Sequence, residues 1–309
     1  MFIIEVPFMN LDQIYNSGQC FRWIKLRDGK YAIPYGDKVL KIEQQKQRFI
    51  MSCTDEEFYN IWYEYFDMGT DYMNVNYKTR GISEEFRVMA NRGSGIRILK
   101  QDLFEIIVSF MLATATNIPN IKRMIEQIAQ KCGVPHKQSL RECGQLKWYE
   151  FPNEIQILEK QNKLADDFGL KRKENVLKLC QDIVDGWFDF RYLNTEEYSY
   201  EDIKGYLMEF DGIGPKVADC ICLYGLHMMN VFPIDTHIKQ MLTEDFQCED
   251  YESFRDWYLC DMIGYEGLVQ QYMFYHHTNP PKPGSEIIIE EVKKTEIRYM
   301  KSAMMPFHR

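Results

Sequence analysis

The stretch Phe210–His237, FDGIGPKVADCICLYGLHMMNVFPIDTH, places a glycine-bearing turn, an amine and a carboxylate in one short span. Gly212 and Gly214 flank a single residue, Pro215 and Lys216 follow, and Asp235 lies nineteen positions beyond the lysine. A G-x-G turn lets the chain take positive φ and exposes backbone N–H groups. At a helix start the dipole adds to their attraction for an anion. Pro215 suits the first helical position, where no N–H is needed. The dipole there disfavours an ammonium at Lys216, which favours a free, nucleophilic amine. Asp235 precedes the apolar-periodic Ile238, Met241 and Leu242. It can cap a helix and, fixed in orientation by that bond, still face a developing cation. A phosphate clamp, an amine nucleophile and a carboxylate are the parts needed to break a base–sugar bond in DNA.

Each residue also has an ordinary alternative. A G-x-G serves as a tight turn between packed helices, a lysine snorkels to water, and Asp235 is a good N-cap with no further task. His237 either belongs to the same cap region or touches a phosphate. It is the joint presence of Lys216 and Asp235 that favours chemistry over a bare turn.

The elements around this stretch are legible from periodicity. Residues 1–95 read mainly as β: Tyr31–Ile42 alternates about a turn at Tyr35–Asp37, and Arg48–Ser52 is a short strand candidate. Thr54 and Glu57 suggest a capping box. From Gln101 the period becomes helical, with Phe104, Ile107, Val108, Met111 and Leu112 on one face. A turn at Thr116–Pro119 leads to a helix carrying Ile121, Met124, Ile125 and Ile128. Further helices are expected near 153–162, 173–186, 200–209, 236–242, 251–261 and 266–276, with a helix-hairpin-helix at about 200–226. Residues 279–309 begin NPPKPG and read as a linker and tail. The fold class is thus α+β: an N-terminal antiparallel β domain (1–95), a mostly helical region (96–278) and the tail.

The chain has 309 residues and 45% hydrophobic content, enough for a real core. No run reaches membrane-span length, so an intracellular protein, cytoplasmic or nuclear, is expected. Nine scattered cysteines without a C-x-x-C pair argue against disulfides, zinc and an iron–sulfur cluster. The net charge of −9 opposes simple phosphate neutralisation. Acidic residues cluster in Cys53–Asp71 and Glu244–Asp256, however, while Lys171, Arg172 and Lys173 adjoin Gly169, so a basic face is still expected.

With these motifs in hand, the chain resembles the helix-hairpin-helix DNA glycosylases, and most closely the lysine-bearing 8-oxoguanine DNA glycosylases. Ser17–Trp23, SGQCFRW, is very similar to that family's SGQSFRW. Gln101–Gly133 is similar to its helix, Asn-rich turn and helix, KVADCIC at Lys216–Cys222 to its catalytic helix, and GLVQQYMF at Gly267–Phe274 to its last core helix. The resemblance spans residues 1–277 and implies a TBP-like N-terminal domain and excision of 8-oxoguanine with β-lyase activity. It implies Lys216 and Asp235 as catalytic residues and Cys220 and Phe274 as the sandwich around a flipped base. The Gly18 carbonyl would read the N7 proton that guanine lacks, and Gln270 the Watson–Crick edge. Asn117, Leu170, Lys171, Gly212, Gly214 and His237 would contact DNA.

The expected partner is duplex DNA containing 8-oxoguanine, bound by a monomer, with no cofactor beyond a structural monovalent cation at the hairpin carbonyls. The alternatives are a glycosylase for another damaged purine and a non-catalytic helix-hairpin-helix module. The chain departs from the family at the opposite-base readers. Ala115 stands where an asparagine reads cytosine, Asn120 replaces an arginine, and Gly169-Leu170-Lys171 replaces a GYR element. Leu170 can still wedge a gap, but Lys171 cannot copy a planar arginine fork. A weak preference for cytosine opposite the lesion follows.

Overall fold

The computed structural model describes residues 1–136, 147–164, 169–248 and 250–280. Of the expected tail only Asn279 and Pro280 are described; 281–309 and Cys143 lie outside the described residues.

Strands β1 (Phe2–Glu5), β2 (Ile24–Arg27), β3 (Lys30–Tyr35), β4 (Lys38–Gln45) and β5 (Arg48–Met51) form one antiparallel sheet in the order β1-β5-β4-β3-β2. The expected hairpin is β3–β4, with Tyr35 opposite Lys38 and Ile33 opposite Leu40. Gly36 takes φ 54° in its two-residue turn, as tight hairpin turns require. Period-two alternation puts Tyr31, Ile33, Leu40, Ile42, Phe49 and Met51 into one buried core with Leu11 and Ile14 of α1 (Leu11–Asn16).

The chain turns helical at Thr54, where a helix start was expected. Helix α2 (Asp55–Glu57) passes through a π turn, Phe58–Trp62, into α3 (Tyr63–Tyr65). The capping box forms by half. Thr54 accepts the Glu57 N–H at 3.1 Å, but the Glu57 carboxylate takes the indole N–H of buried Trp62 at 3.2 Å instead of reaching back. Helices α4 (Tyr72–Ile82) and α5 (Glu84–Arg92), capped by Asp71 and Ser83, occupy much of what read as β. Tyr72, Val75, Phe86 and Met89 pack in the helical core, not the sheet's. The two cores therefore meet well before residue 95.

Helices α6 (Leu103–Leu112) and α7 (Ile118–Cys132) follow, then α8 (Glu154–Glu159), α9 (Leu170–Val184), α10 (Tyr200–Leu207), α11 (Pro215–Tyr224), α12 (Thr236–Glu244), α13 (Tyr251–Tyr258) and α14 (Glu266–Thr278). Helix α9 starts at Leu170, three residues ahead of the expected 173, because Gly169 at φ 75° turns the chain into it. Ile106–Leu112 of α6 and Val217–Tyr224 of α11 are buried on every face. These two helices form the centre of the helical core, and Phe110 of one stacks on Tyr224 of the other at 5.3 Å and 14°. Among the described residues no helix is long and apolar enough to cross a membrane.

Candidate active site

The hairpin between α10 and α11 is held from both sides. Asp219 of α11 accepts the Tyr200 hydroxyl at 2.7 Å and the Lys204 ammonium at 2.8 Å, so one buried carboxylate ties down two turns of α10. The amide of Ile213 donates to the Phe210 carbonyl at 3.1 Å and closes the turn. The two glycines divide the work. Gly212 takes φ 91°, and a Cβ there would sit 2.5 Å from Asn175 Nδ2. Gly214, the N-cap of α11, is extended at φ −89° with open space around its missing Cβ. The fold thus needs a glycine at 212 but not at 214, which is exposed toward the cleft. Gly214→Ala is expected to leave the melting temperature unchanged yet weaken duplex binding roughly tenfold, about the worth of one charge-assisted hydrogen bond. Fluorescence anisotropy alongside thermal melting measures both; an unchanged Kd would remove this turn from the phosphate contacts.

Lys216, in the first turn of α11, and Asp235, the N-cap of α12, line one cleft of about 1090 Å³ with Gly18, His237 and Phe274. The Lys216 ammonium lies 5.4 Å from the Phe110 ring centroid. Asp235 accepts the Ile238 N–H at 2.9 Å, so it does cap α12, and that bond fixes its carboxylate. Below, Lys216, Asp235 and Gly18 also line a smaller pocket of about 50 Å³ with Cys220, Gln270 and Phe274. Burial pushes the Cys220 thiol up to about 11 against the pull of Lys216; the pocket wall there is a neutral thiol. Phe274 leans on Gly18, its Cε1 3.1 Å from where a Cβ would be, and His237 meets the ring edge-on at 5.8 Å. At about 15 Å³ per water the smaller pocket's volume admits only a few, less than a purine base occupies.

The SGQCFRW segment holds Gly18 in place through two residues that sequence reading passed over. Buried Gln19 donates to Ser17 Oγ and to the Arg97 carbonyl, both at 2.9 Å, and accepts the Leu99 N–H at 2.9 Å. Buried Arg22 pairs with Glu105 of α6 at 3.2 Å and donates to the Tyr149 carbonyl at 2.5 Å. Gly18, at φ 80°, is therefore fixed by bonds to the Arg97–Leu99 segment on one side and to α6 on the other.

At the cleft rim the three cations that follow Gly169 are held differently. Arg172 donates to the Thr114 and Ala115 carbonyls, and Lys173 donates to the Leu164 carbonyl at 2.7 Å. Both side chains hold loops together, leaving Lys171 as the exposed cation of the three. Leu170 projects from the start of α9 with 63% of its surface exposed. Asn117 caps α7 by accepting the Asn120 N–H at 3.0 Å, which engages its side-chain oxygen locally. Ala115 takes φ 51°. Gln270 is buried and donates to the Pro233 carbonyl at 3.1 Å.

A sequence model described as 8-oxoguanine DNA glycosylase, N-terminal domain, matches residues 2–107. The structure of MBOgg1 in complex with a low-affinity DNA ligand superposes with a TM-score of 0.79 at 30% identity, covering 89% of this chain and 94% of that one. The chain belongs to the 8-oxoguanine DNA glycosylase family. The Clostridium acetobutylicum 8-oxoguanine glycosylase/lyase, solved with duplex DNA carrying cytosine opposite 8-oxoG, gives a TM-score of 0.78 at 28% identity over 89% of this chain and 97% of that one. The N-glycosylase/DNA lyase of Saccharomyces cerevisiae is 27% identical over 268 residues, 77% of this chain and 68% of the yeast protein. Family membership accounts for both halves of the molecule: the sheet with SGQCFRW supplies Gly18, and the helical half supplies the lysine and aspartate.

Proposed function

We propose that the chain flips 8-oxoguanine out of duplex DNA and excises it through a Schiff base on Lys216, then nicks the strand by β-elimination. The observation that carries this reading is the convergence of Lys216 and Asp235 on one cleft with Gly18 and Phe274. A bare DNA-binding hairpin has no need of that convergence, and a monofunctional glycosylase has no need of the lysine.

In the first step the Lys216 amine attacks the anomeric carbon as the base–sugar bond breaks. The electron pair leaves with the base, and the Asp235 carboxylate steadies the cationic sugar. The sugar then opens to an iminium on Lys216. Loss of a C2′ proton expels the 3′ phosphate oxygen and cuts the strand. Around the flipped base, the reading assigns Cys220 and Phe274 to its two faces, the Gly18 carbonyl to N7–H and Gln270 to the Watson–Crick edge. Gly212, Gly214 and His237 belong to the phosphate contacts, Leu170 to the vacated stack, and Asn117 and Lys171 to the strand beside it. The hairpin turn presents carbonyl oxygens, donors suited to a hard cation; a monovalent ion there would be structural, with no step routed through it. An intracellular location is part of the same proposal.

Release of 8-oxoguanine but not guanine from otherwise identical duplexes tests the substrate. The opposite-base readers carry a second expectation. Leu170 cannot hydrogen-bond, Lys171 lacks a planar fork, and Ala115 offers no amide, so single-turnover excision should vary only a few-fold among the four opposing bases. Discrimination of roughly 100-fold for cytosine, about 2.7 kcal/mol, would contradict it.

A further inference from the structure

The small pocket contains a buried acceptor that no proposed contact uses. Gln271 is 1% exposed, and its Oε1 has no hydrogen-bond partner among the described residues. Its amide orientation is fixed by a short relay. The Pro233 carbonyl can only accept, so it holds Gln270 by Nε2 at 3.1 Å and leaves Gln270 Oε1 facing Gln271. That oxygen needs a donor, which Gln271 Nε2 supplies at 3.2 Å while also reaching the Tyr224 hydroxyl at 2.5 Å. Gln271 Oε1 is what remains, in the side chain that lines the pocket beside Gln270 and Phe274. A buried acceptor left unpaired is costly, and the cost is recovered when a bound group supplies the proton.

We infer that Gln271 is a further specificity-determining residue, whose side-chain oxygen accepts a hydrogen bond from the Watson–Crick edge of the flipped base. This deepens the proposed function and rests on it. Guanine-type bases carry two donors on that edge, N1–H and the exocyclic amine. On adenine-type bases the donor of that edge is the C6 amine, beyond N1; an oxygen seated against N1 and position 2, where guanine carries its two donors, would face the bare N1 lone pair acceptor to acceptor. The Gly18 carbonyl reads the oxidised side of the base, which 8-oxoguanine and 8-oxoadenine share. Gln271 would reject 8-oxoadenine, a discrimination that Gly18 cannot make.

The test compares the unsubstituted chain with Gln271→Met, close in volume but without the oxygen, on duplexes carrying 8-oxoguanine, 8-oxoadenine or a preformed abasic site. The expected result is a tenfold slower single-turnover release of 8-oxoguanine. The preference over 8-oxoadenine narrows by a similar factor, while nicking at the abasic site and the melting temperature stay unchanged. Should Gln271→Met melt early, Gln271→Leu carries the same expectation. An unchanged 8-oxoguanine/8-oxoadenine ratio overturns the role of Gln271. So does a parallel loss of abasic-site nicking, which would mark it as structural. If the unsubstituted chain nicks abasic DNA but releases neither oxidised base, the substrate reading itself fails, and the Gln271 proposal with it.

Discussion

Lys216→Gln is expected to abolish both release of 8-oxoguanine and covalent capture on DNA by borohydride. The lysine lies in the first turn of α11 and lines the cleft, next to a thiol held neutral by burial. Among the described residues no other lysine lines either the cleft or the pocket beneath it. Glutamine keeps most of the volume and removes the nucleophile, and no ion pair of Lys216 is lost among the described residues, so the fold should survive. Melting and duplex binding by the variant are therefore controls that should change little. Excision that persists without capture would assign bond breaking to water and leave Lys216 with strand nicking alone. Capture that persists would remove Lys216 from the nucleophile's place.

Asp235→Asn is expected to slow excision by roughly 10²–10³-fold while leaving stability intact. The aspartate has two tasks that this substitution separates. It accepts the Ile238 N–H as the N-cap of α12, and asparagine caps a helix about as well as aspartate. Its charge, by contrast, faces the site where a cationic sugar forms. A unit charge at about 4 Å in a partly screened cleft is worth roughly 4 kcal/mol, close to three orders of magnitude in rate. Asp235→Ala should add the loss of the cap, about 1 kcal/mol, or roughly 1.5 °C of melting temperature for a chain of 309 residues. Single-turnover rates and melting curves on both variants decide the matter. If Asp235→Asn melts early and Asp235→Ala is no worse, the carboxylate serves the fold and not the reaction.

What the sequence made readable follows from how local each signal was. Lys216 and Asp235 announced themselves because turn glycine, proline, lysine and capping aspartate each have a known place in a helix start. Gly18 was found through the string around it. The bonds that hold Gly18 were not, since Gln19 reaches residues 78 and 80 positions away and Arg22 reaches one 83 away. Helix α4 escaped because half of its buried face is polar, with Asn76 and Thr79 beside Tyr72 and Val75, and α5 because Phe86, Met89 and Ala90 make only a short apolar signal. The partners of Arg172 and Lys173 escaped for a related reason. Charge is visible in a sequence, but the carbonyls that Arg172 and Lys173 engage belong to other loops. Nothing in the sequence singled out Gln271. Its significance rests on an oxygen left unpaired by a relay that begins at Pro233, on a different element.

The central claim is that the Lys216 amine attacks the sugar of a flipped 8-oxoguanine nucleotide. Sodium borohydride trapping of the unsubstituted chain, on duplexes carrying one 8-oxoguanine or guanine at the same position, tests it most directly. A covalent protein–DNA adduct that forms only with the lesion, and maps to Lys216 by peptide mass spectrometry, is the predicted result. Base release without any adduct, or an adduct on another residue, would contradict it.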